Sequence, residues 1–400
     1  MKLNPQKFVE DQTKELRKTL GDERALVAIS GGVDSTTSAA LTHQAIGENL
    51  LCVMLDDAFM REGEPERVAR LVSQPPLRLP IKILNVQECF LKALKGLRDA
   101  EEKRKVFRET FYGTLRETAE DEGCRFLVQG TIAADIVETT GGVKTQHNVL
   151  AQMGINPIEH FGFQVVEPLA SLYKDQVRKM ARYLGVPSEI SERQPFPGPG
   201  LSVRVVGEIR ADKFGMLKRA TAITEKELAE QQPSQFFAVI VENTERSLDS
   251  KKIAVLSEMI GEFLRVSPDH ISVKVFRDRA TGVKGGQRLY GDILAIKCED
   301  KKGSILRASI KDLVCLQAHI VEEYPSFARV LYAINETDKK QAYCIVVRAV
   351  KTVDFLTASV ADVSWKSLEK IAGKVLESCP RVSGVYYDVT PKPPATIEFE

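Results

Sequence analysis

The run Ser30-Gly31-Gly32-Val33-Asp34-Ser35-Thr36 restricts the fold of this chain more than any other stretch. It directly follows the apolar segment Ala25–Ile29 and opens Thr36–Ala45, whose apolar residues recur at helical spacing. Glycines at a strand-to-helix turn let the backbone approach an anion closely, and the N–H groups of the helix start can bind it. Ser30, Ser35 and Thr36 add hydroxyl donors, and Asp34 can orient a Mg²⁺ ion that neutralises phosphate charge. A glycine-rich helix cap without a ligand would have the same local form. No GxxxxGK[ST] pattern occurs, so this is not a Walker A loop.

The surrounding rhythm predicts the frame for such a turn. Helical spacing over Phe8–Leu20, Glu64–Val72, a long region from Cys89 to Glu120, and Lys174–Leu184 alternates with short apolar runs. Those runs are Ala25–Ile29, Leu50–Leu55, Ile81–Val86, Phe126–Gln129 and Phe163–Val166. Buried-looking strands separated by helices predict an α/β domain, a parallel doubly wound sheet whose site lies at the C-terminal ends of the strands. Residues 193–200, RQPFPGPG, cannot be helical; they suit either a stiff linker or a specific loop near a domain junction. We expect a first domain over 1–205 and a second over 206–400.

Beyond that point the pattern becomes helix followed by two strands, repeated three times, which predicts an α+β domain. The helices are Lys251–Leu264, Ser309–Glu322 and Trp365–Glu377, leading into Val273–Phe276, Ala328–Tyr332 and Val385–Tyr387. Second strands are expected at Leu289–Lys297, Ala342–Val350 and, shorter, Ala395–Phe399. Val275, Val330 and Val385 recur at equal intervals. The open sheet edges of such units favour self-association, and we expect a homodimer formed within residues 206–400.

Composition narrows the function. The 56 basic and 55 acidic side chains leave a net charge of +1, without the basic excess of a protein that lives by phosphate-backbone contacts, so nucleic acid is not an expected partner. No apolar stretch approaches a bilayer span, and the charged N-terminal segment lacks the apolar core of a signal peptide; a cytoplasmic protein is expected. The cysteines are scattered with no CxxC pair, which fits reduced core thiols, and the histidines have no metal-ligand spacing.

The glycine-rich run resembles the PP-loop of the ATP pyrophosphatases. Several further stretches narrow the resemblance to the GMP synthetase family, most of all its archaeal stand-alone synthetase component. They are residues 90–107, VQGTIAADIVET (128–139), KTQHNV (144–149), VEPLASLYKDQVR (166–178), PFPGPGLSVRVVGEI (195–209) and KPPATIEFE (392–400).

The resemblance implies ATP-dependent adenylation of xanthosine 5′-monophosphate (XMP), then displacement of AMP by ammonia to give GMP. It implies ATP and pyrophosphate contacts from Ser30, Gly31, Gly32, Val33, Asp34, Ser35, Thr36, Gln129, Gly130 and Lys174, with Mg²⁺ on Asp34 and Asp135. Glu138, Lys144 and His147 fall in the segment that acts as a lid in the family, where a polar, glycine-bearing loop can order on binding and exclude water. Arg61, Arg204, Gln235, Lys392, Ile397 and Glu398 match positions that meet the acceptor nucleotide. No cysteine-centred nucleophile elbow can be assembled, so ammonia is free or comes from a separate glutamine amidotransferase subunit.

Four stretches depart from the family pattern. Gln146 stands where the family pairs histidines, 150–162 matches nothing familiar, and Ala58 follows Asp56-Asp57 where the family has glycine. The second half is also longer by about one α-β-β unit. The altered lid leaves room for two alternatives: an adenylating ligase acting on a different nucleotide, or a non-catalytic nucleotide-binding relative.

Overall fold

The structure, a computed structural model, describes residues 3–133, 135–136, 157–338, 340–352 and 356–400. The chain forms two compact units, residues 1–94 with 104–200, and residues 95–103 with 201–400.

In the first unit five strands, β1 (Arg24–Ala28), β2 (Leu50–Asp56), β3 (Ile81–Asn85), β4 (Cys124–Val128) and β5 (Gln164–Val166), form a sheet in the order β3-β2-β1-β4-β5. Every pairing is parallel, as the alternation of strand and helix predicts. Alternate residues of the strands feed two cores, because side chains point to opposite faces with period 2. Ala25, Val27, Cys52, Met54 and Val128 pack with helices α1 (Pro5–Leu20), α2 (Val33–Ile46), α3 (Glu64–Ser73) and α6 (Lys174–Leu184). Leu26, Val53, Leu55 and Leu127 pack on the other face with Tyr112 and Leu115. Each such burial contributes roughly 1.5–3 kcal/mol relative to exposure.

The helix expected across Cys89–Glu120 is instead two: α4 (Gln87–Ala93) and α5 (Ala100–Asp121). Gly96 takes a left-handed φ of 81° and Asp99 accepts from the Glu102 N–H at 2.9 Å, so a glycine break and a new N-cap interrupt the periodicity.

Residues 193–200 form a specific loop. Gly200 lies against the Phe59 backbone so tightly that a Cβ would collide with it, and Phe196 lies under the Arg61 guanidinium at 4.1 Å.

In the second unit, α7 (Ala211–Leu228) and β6 (Gln235–Glu242) precede the repeats. These are α8 (Ser250–Leu264) with β8 (Ile271–Lys284) and β9 (Gln287–Cys298), then α9 (Ile310–Glu323) with β10 (Phe327–Glu336) and β11 (Tyr343–Lys351), and α10 (Trp365–Ser378) with β13 (Val382–Asp388). Two short strands, β7 (Glu245–Arg246) and β12 (Ser359–Val360), complete the mixed sheet, ordered β12-β11-β13-β10-β9-β8-β7 with β6 also on β11.

The repeat is incomplete in two respects. Val275 and Val330 flank Leu294 from opposite sides, whereas Val385 pairs with Asn335, so equal sequence spacing does not give one common register. The strand expected at Ala395–Phe399 does not form: after β13 the chain makes only isolated bridges at Lys392 and Ala395, because side chains take up its carbonyls.

All seven cysteines are unpaired, and Cys52, Cys124, Cys298, Cys344 and Cys379 are buried while Cys89 and Cys315 are exposed. Burial pushes the Cys52 thiol up to about 12, which keeps it protonated. Among the described residues no helix is long and apolar enough to cross a membrane, and no cluster of metal-ligating side chains stands out.

Candidate active site

The strand order runs from β1 outward to β2 and β3 on one side and to β4 and β5 on the other, so the sheet reverses direction between β1 and β4. A crevice at such a switch point is where nucleotides bind in open α/β sheets. Ser30–Thr36 follow β1, and Gln129-Gly130 follow β4. The two turns touch: a Cβ on Gly130 would lie 2.7 Å from the Ser35 nitrogen. Only glycine permits that approach.

The turn after β1 is shaped for an anion. Gly31 takes a φ of 77°, and Gly32 caps α2 with no side-chain hydrogen bond to the helix start. The hydroxyls of Ser30 and Ser35 lie 3.1 Å apart, Ser35 Oγ accepts from the Ser30 N–H, and Thr36 Oγ1 donates to the Gly32 carbonyl at 2.9 Å. Val33 is buried at the first position of α2.

Asp34 Oδ2 accepts from Lys174 Nζ at 2.5 Å. Lys174 begins α6, where the helix dipole disfavours a cation, and the Asp34 carboxylate offsets that cost. The other oxygen, Asp34 Oδ1, is buried without a hydrogen-bond partner. A hard cation with oxygen ligands would satisfy it, so the donor set fits Mg²⁺. Asp135, one turn beyond the second loop, accepts from the Ile132 N–H through Oδ2 at 3.0 Å.

Gln129 is held from behind. Its Nε2 donates to the Tyr112 hydroxyl at 2.6 Å, its backbone N–H donates to the Val166 carbonyl, and its Oε1 is buried without a partner. Burial pushes the Tyr112 phenol well above its ordinary range, so it stays protonated. Glu138, Lys144 and His147, with Gln146 and residues 150–156, lie outside the described residues.

Arg61 belongs to the first unit. Its backbone N–H and its guanidinium both meet Glu64, whose carboxylate also pairs with Arg193. Burial pushes the Glu64 carboxyl up, but Arg193 and Arg61 together hold it below its ordinary value. Gly31 packs on this group: a Cβ there would meet Val68 at 2.9 Å and the Glu64 and Arg193 head groups at 3.4 Å. Neither Glu64 nor Arg193 stands out in the sequence, where each reads as one more surface charge.

Ala58 adopts a φ of 74°, the left-handed region that glycine would enter without strain. Asp57 Oδ1 accepts from the Phe59 N–H at 2.8 Å and fixes this turn.

The remaining candidate residues lie in the second unit. Arg204 donates to both oxygens of Glu398, at 3.0 and 2.9 Å, and Gln235 Nε2 reaches the same carboxylate at 3.2 Å. All three are buried, and the Arg204 guanidinium also stacks on Phe237 at 3.9 Å. Ile397 is half-buried, with its carbonyl bound by Arg348. Lys392, half-buried as well, is held by backbone bonds to Ala358. The structure thus brings Arg204, Gln235 and Glu398 into one network and sets Lys392 apart on its own bridge.

Comparison with known proteins follows this division. Residues 6–198 match the NAD synthase family profile, and residues 333–399 match that of the GMP synthase C terminal domain. The chain is similar along its whole length to archaeal proteins named as one of the two kinds of subunit of a glutamine-hydrolyzing GMP synthase. It is 43% identical to that of Sulfurisphaera tokodaii, covering 100% of both chains, and 39% identical to that of Methanopyrus kandleri, covering 99% of both. The Archaeoglobus fulgidus protein is 36% identical, again over 100% of each.

Proposed function

The chain belongs to this family of GMP synthase subunits, and from that premise we propose that it is the synthetase half of a two-subunit enzyme converting XMP to GMP. Glutamine hydrolysis, which the relatives' names print, then falls to a separate polypeptide that delivers ammonia.

The phosphates of ATP bind at the start of α2, against Gly31, Gly32 and the hydroxyls of Ser30, Ser35 and Thr36. Lys174 leaves Asp34 for the departing pyrophosphate, whose charge removes the penalty of a cation at a helix N-terminus. Mg²⁺, held by Asp34 and Asp135, neutralises phosphate charge when bound. Gln129 and Gly130 line the adenine side, and Tyr112 fixes the Gln129 amide. O2 of XMP attacks the α-phosphorus and pyrophosphate leaves; ammonia then adds at C2, AMP departs, and a proton is lost. Lys144, Glu138 and His147 close over this adenylate and keep water from hydrolysing it.

Recognition of XMP falls to the tail: Lys392 meets the 5′-phosphate, and Ile397 and Glu398 the purine, with Arg204 and Gln235 setting the carboxylate. Arg61 approaches the acceptor from the first unit. A homodimer formed within residues 206–400 completes the proposal, supported by the exposed Ile253 and Val255 on α8.

The single observation that carries this reading is the buried, unpartnered Asp34 oxygen beside Lys174 at the phosphate turn. Its test is incubation with ATP, Mg²⁺, XMP and ammonium. GMP and AMP should form in equal amounts without any glutaminase present; AMP formation independent of XMP, or none at all, would contradict it.

A further inference from the structure

The tail after β13 lacks a strand's ladder, yet its carbonyls are bonded. Arg348, from β11, donates to the carbonyls of Ile397 at 2.7 Å, Thr396 at 2.9 Å and Thr390 at 3.0 Å. Arg329, from β10, donates to the Glu398 carbonyl at 2.6 Å and the Thr396 hydroxyl at 2.9 Å, and reaches the Thr281 carbonyl at 3.2 Å. Both guanidinium groups also donate to Asp388 Oδ2, at 3.0 Å from Arg329 and 2.6 Å from Arg348. All three side chains are 0% exposed.

Two cations on one carboxylate leave a net positive charge in the interior of the second unit. Burying such a group is poor design for stability alone, since hydrocarbon of the same volume usually serves better. What planar, multiply bonded guanidinium groups supply is geometry: each fixes several acceptors at set distances and angles. The acceptors fixed here are the backbone on either side of Lys392 and the carbonyl of Glu398. Arg348 and Asp388 lie within the segment that matches the GMP synthase C terminal domain, whereas Arg329 precedes it.

We propose that Arg329 and Arg348, anchored on Asp388, are positioning residues for the acceptor nucleotide: they hold the 390–398 backbone so that Lys392 and Glu398 are presented in fixed register. The proposal rests on the assignment of the tail to XMP recognition made above. Neither arginine touches substrate.

The test compares KM for XMP, KM for ATP, kcat and thermal midpoint of the full-length protein with those of Arg329→Met, Arg329→Lys and Lys392→Ala. Arg329→Met should raise KM for XMP roughly tenfold, as a slightly displaced contact would. Its KM for ATP should change less than about twofold, because the phosphate turn shares no partner with the tail. Arg329→Lys should recover part of the loss, keeping the charge but fewer of the bonds. Equal rises in both KM values accompanying a lower midpoint would make the arginines mere supports of the fold and overturn the proposal. If Arg329→Met does not fold, Arg329→Lys and Arg348→Lys carry the same comparison: a rise confined to XMP supports the clamp, and no rise or a parallel rise overturns it. Lys392→Ala separates the two levels. An unchanged KM for XMP there would remove the tail assignment and this proposal together; a rise there with none in the Arg329 variants would remove only the clamp.

Discussion

Asp34 keeps one buried carboxylate oxygen without a hydrogen bond, whereas Glu398, also buried, has both oxygens bonded by Arg204 and one of them shared with Gln235. The phosphate turn carries an uncapped helix start and a single ion pair to Lys174, with both partners partly exposed. The tail, in contrast, is bound through its carbonyls by two fully buried arginines. An unfilled buried acceptor is costly in isolation and fits a place where a ligand completes the bonding. A saturated network gives shape instead. The first region thus supplies charge to a substrate and the second supplies a rigid frame, leaving Lys392 as the tail's adaptable cation.

The sharpest way to break that contrast is Asp34→Ala. It should lower the rate of pyrophosphate release by about 10²–10³-fold, as loss of a preorganised electrostatic group does. The unfolding transition should stay near that of the unaltered protein, since Asp34 serves ligand rather than packing. Wild-type turnover would remove the ATP assignment.

A smaller effect is expected at Lys392. Lys392→Ala should weaken xanthosine monophosphate about tenfold while changing xanthosine itself little, because the lost contact is a charge-assisted bond to phosphate. Equal losses for nucleotide and nucleoside, read by equilibrium binding, would mean the side chain only packs.

The smallest effect concerns backbone strain near the first region. Ala58 occupies a left-handed conformation that costs a residue with a Cβ ~1 kcal/mol. Ala58→Gly should raise unfolding free energy by up to about that amount, offset in part by glycine's extra chain entropy. Denaturant titration of the intact protein measures it, and a loss of stability would show that the turn is not strained.

Much of the first region was legible from the chain because one local motif dictates it. Ser30–Thr36 combines strand end, glycine turn and helix start within seven residues, and the flanking apolar runs give the parallel sheet its five strands. The break at Gly96 was legible only in part, because apolar spacing continued through it. The partners that hold the candidate residues were not legible: Tyr112 behind Gln129, and Glu64 with Arg193 behind Arg61, meet them only through tertiary contacts.

The second region was harder for a different reason. Its repeat sets helices and strands correctly, but β13 inserts between β10 and β11, a topology no spacing encodes. The strand expected at Ala395–Phe399 failed because arginines, not a neighbouring strand, satisfy the backbone. A signal was nonetheless present: Arg329 in FARVLY and Arg348 in CIVVRAV interrupt apolar strands, and a charge in such a place must find buried partners.

If the two regions bind different substrates, each can be disabled without the other, and crossed binding measurements show whether that is so. Calorimetric titration of the unaltered protein, Asp34→Ala and Lys392→Ala with Mg·ATP and, separately, with XMP makes the comparison. Asp34→Ala should lose ATP binding and keep XMP, while Lys392→Ala should weaken XMP and keep ATP. Parallel losses of both ligands in either variant would contradict the division of labour between phosphate turn and tail.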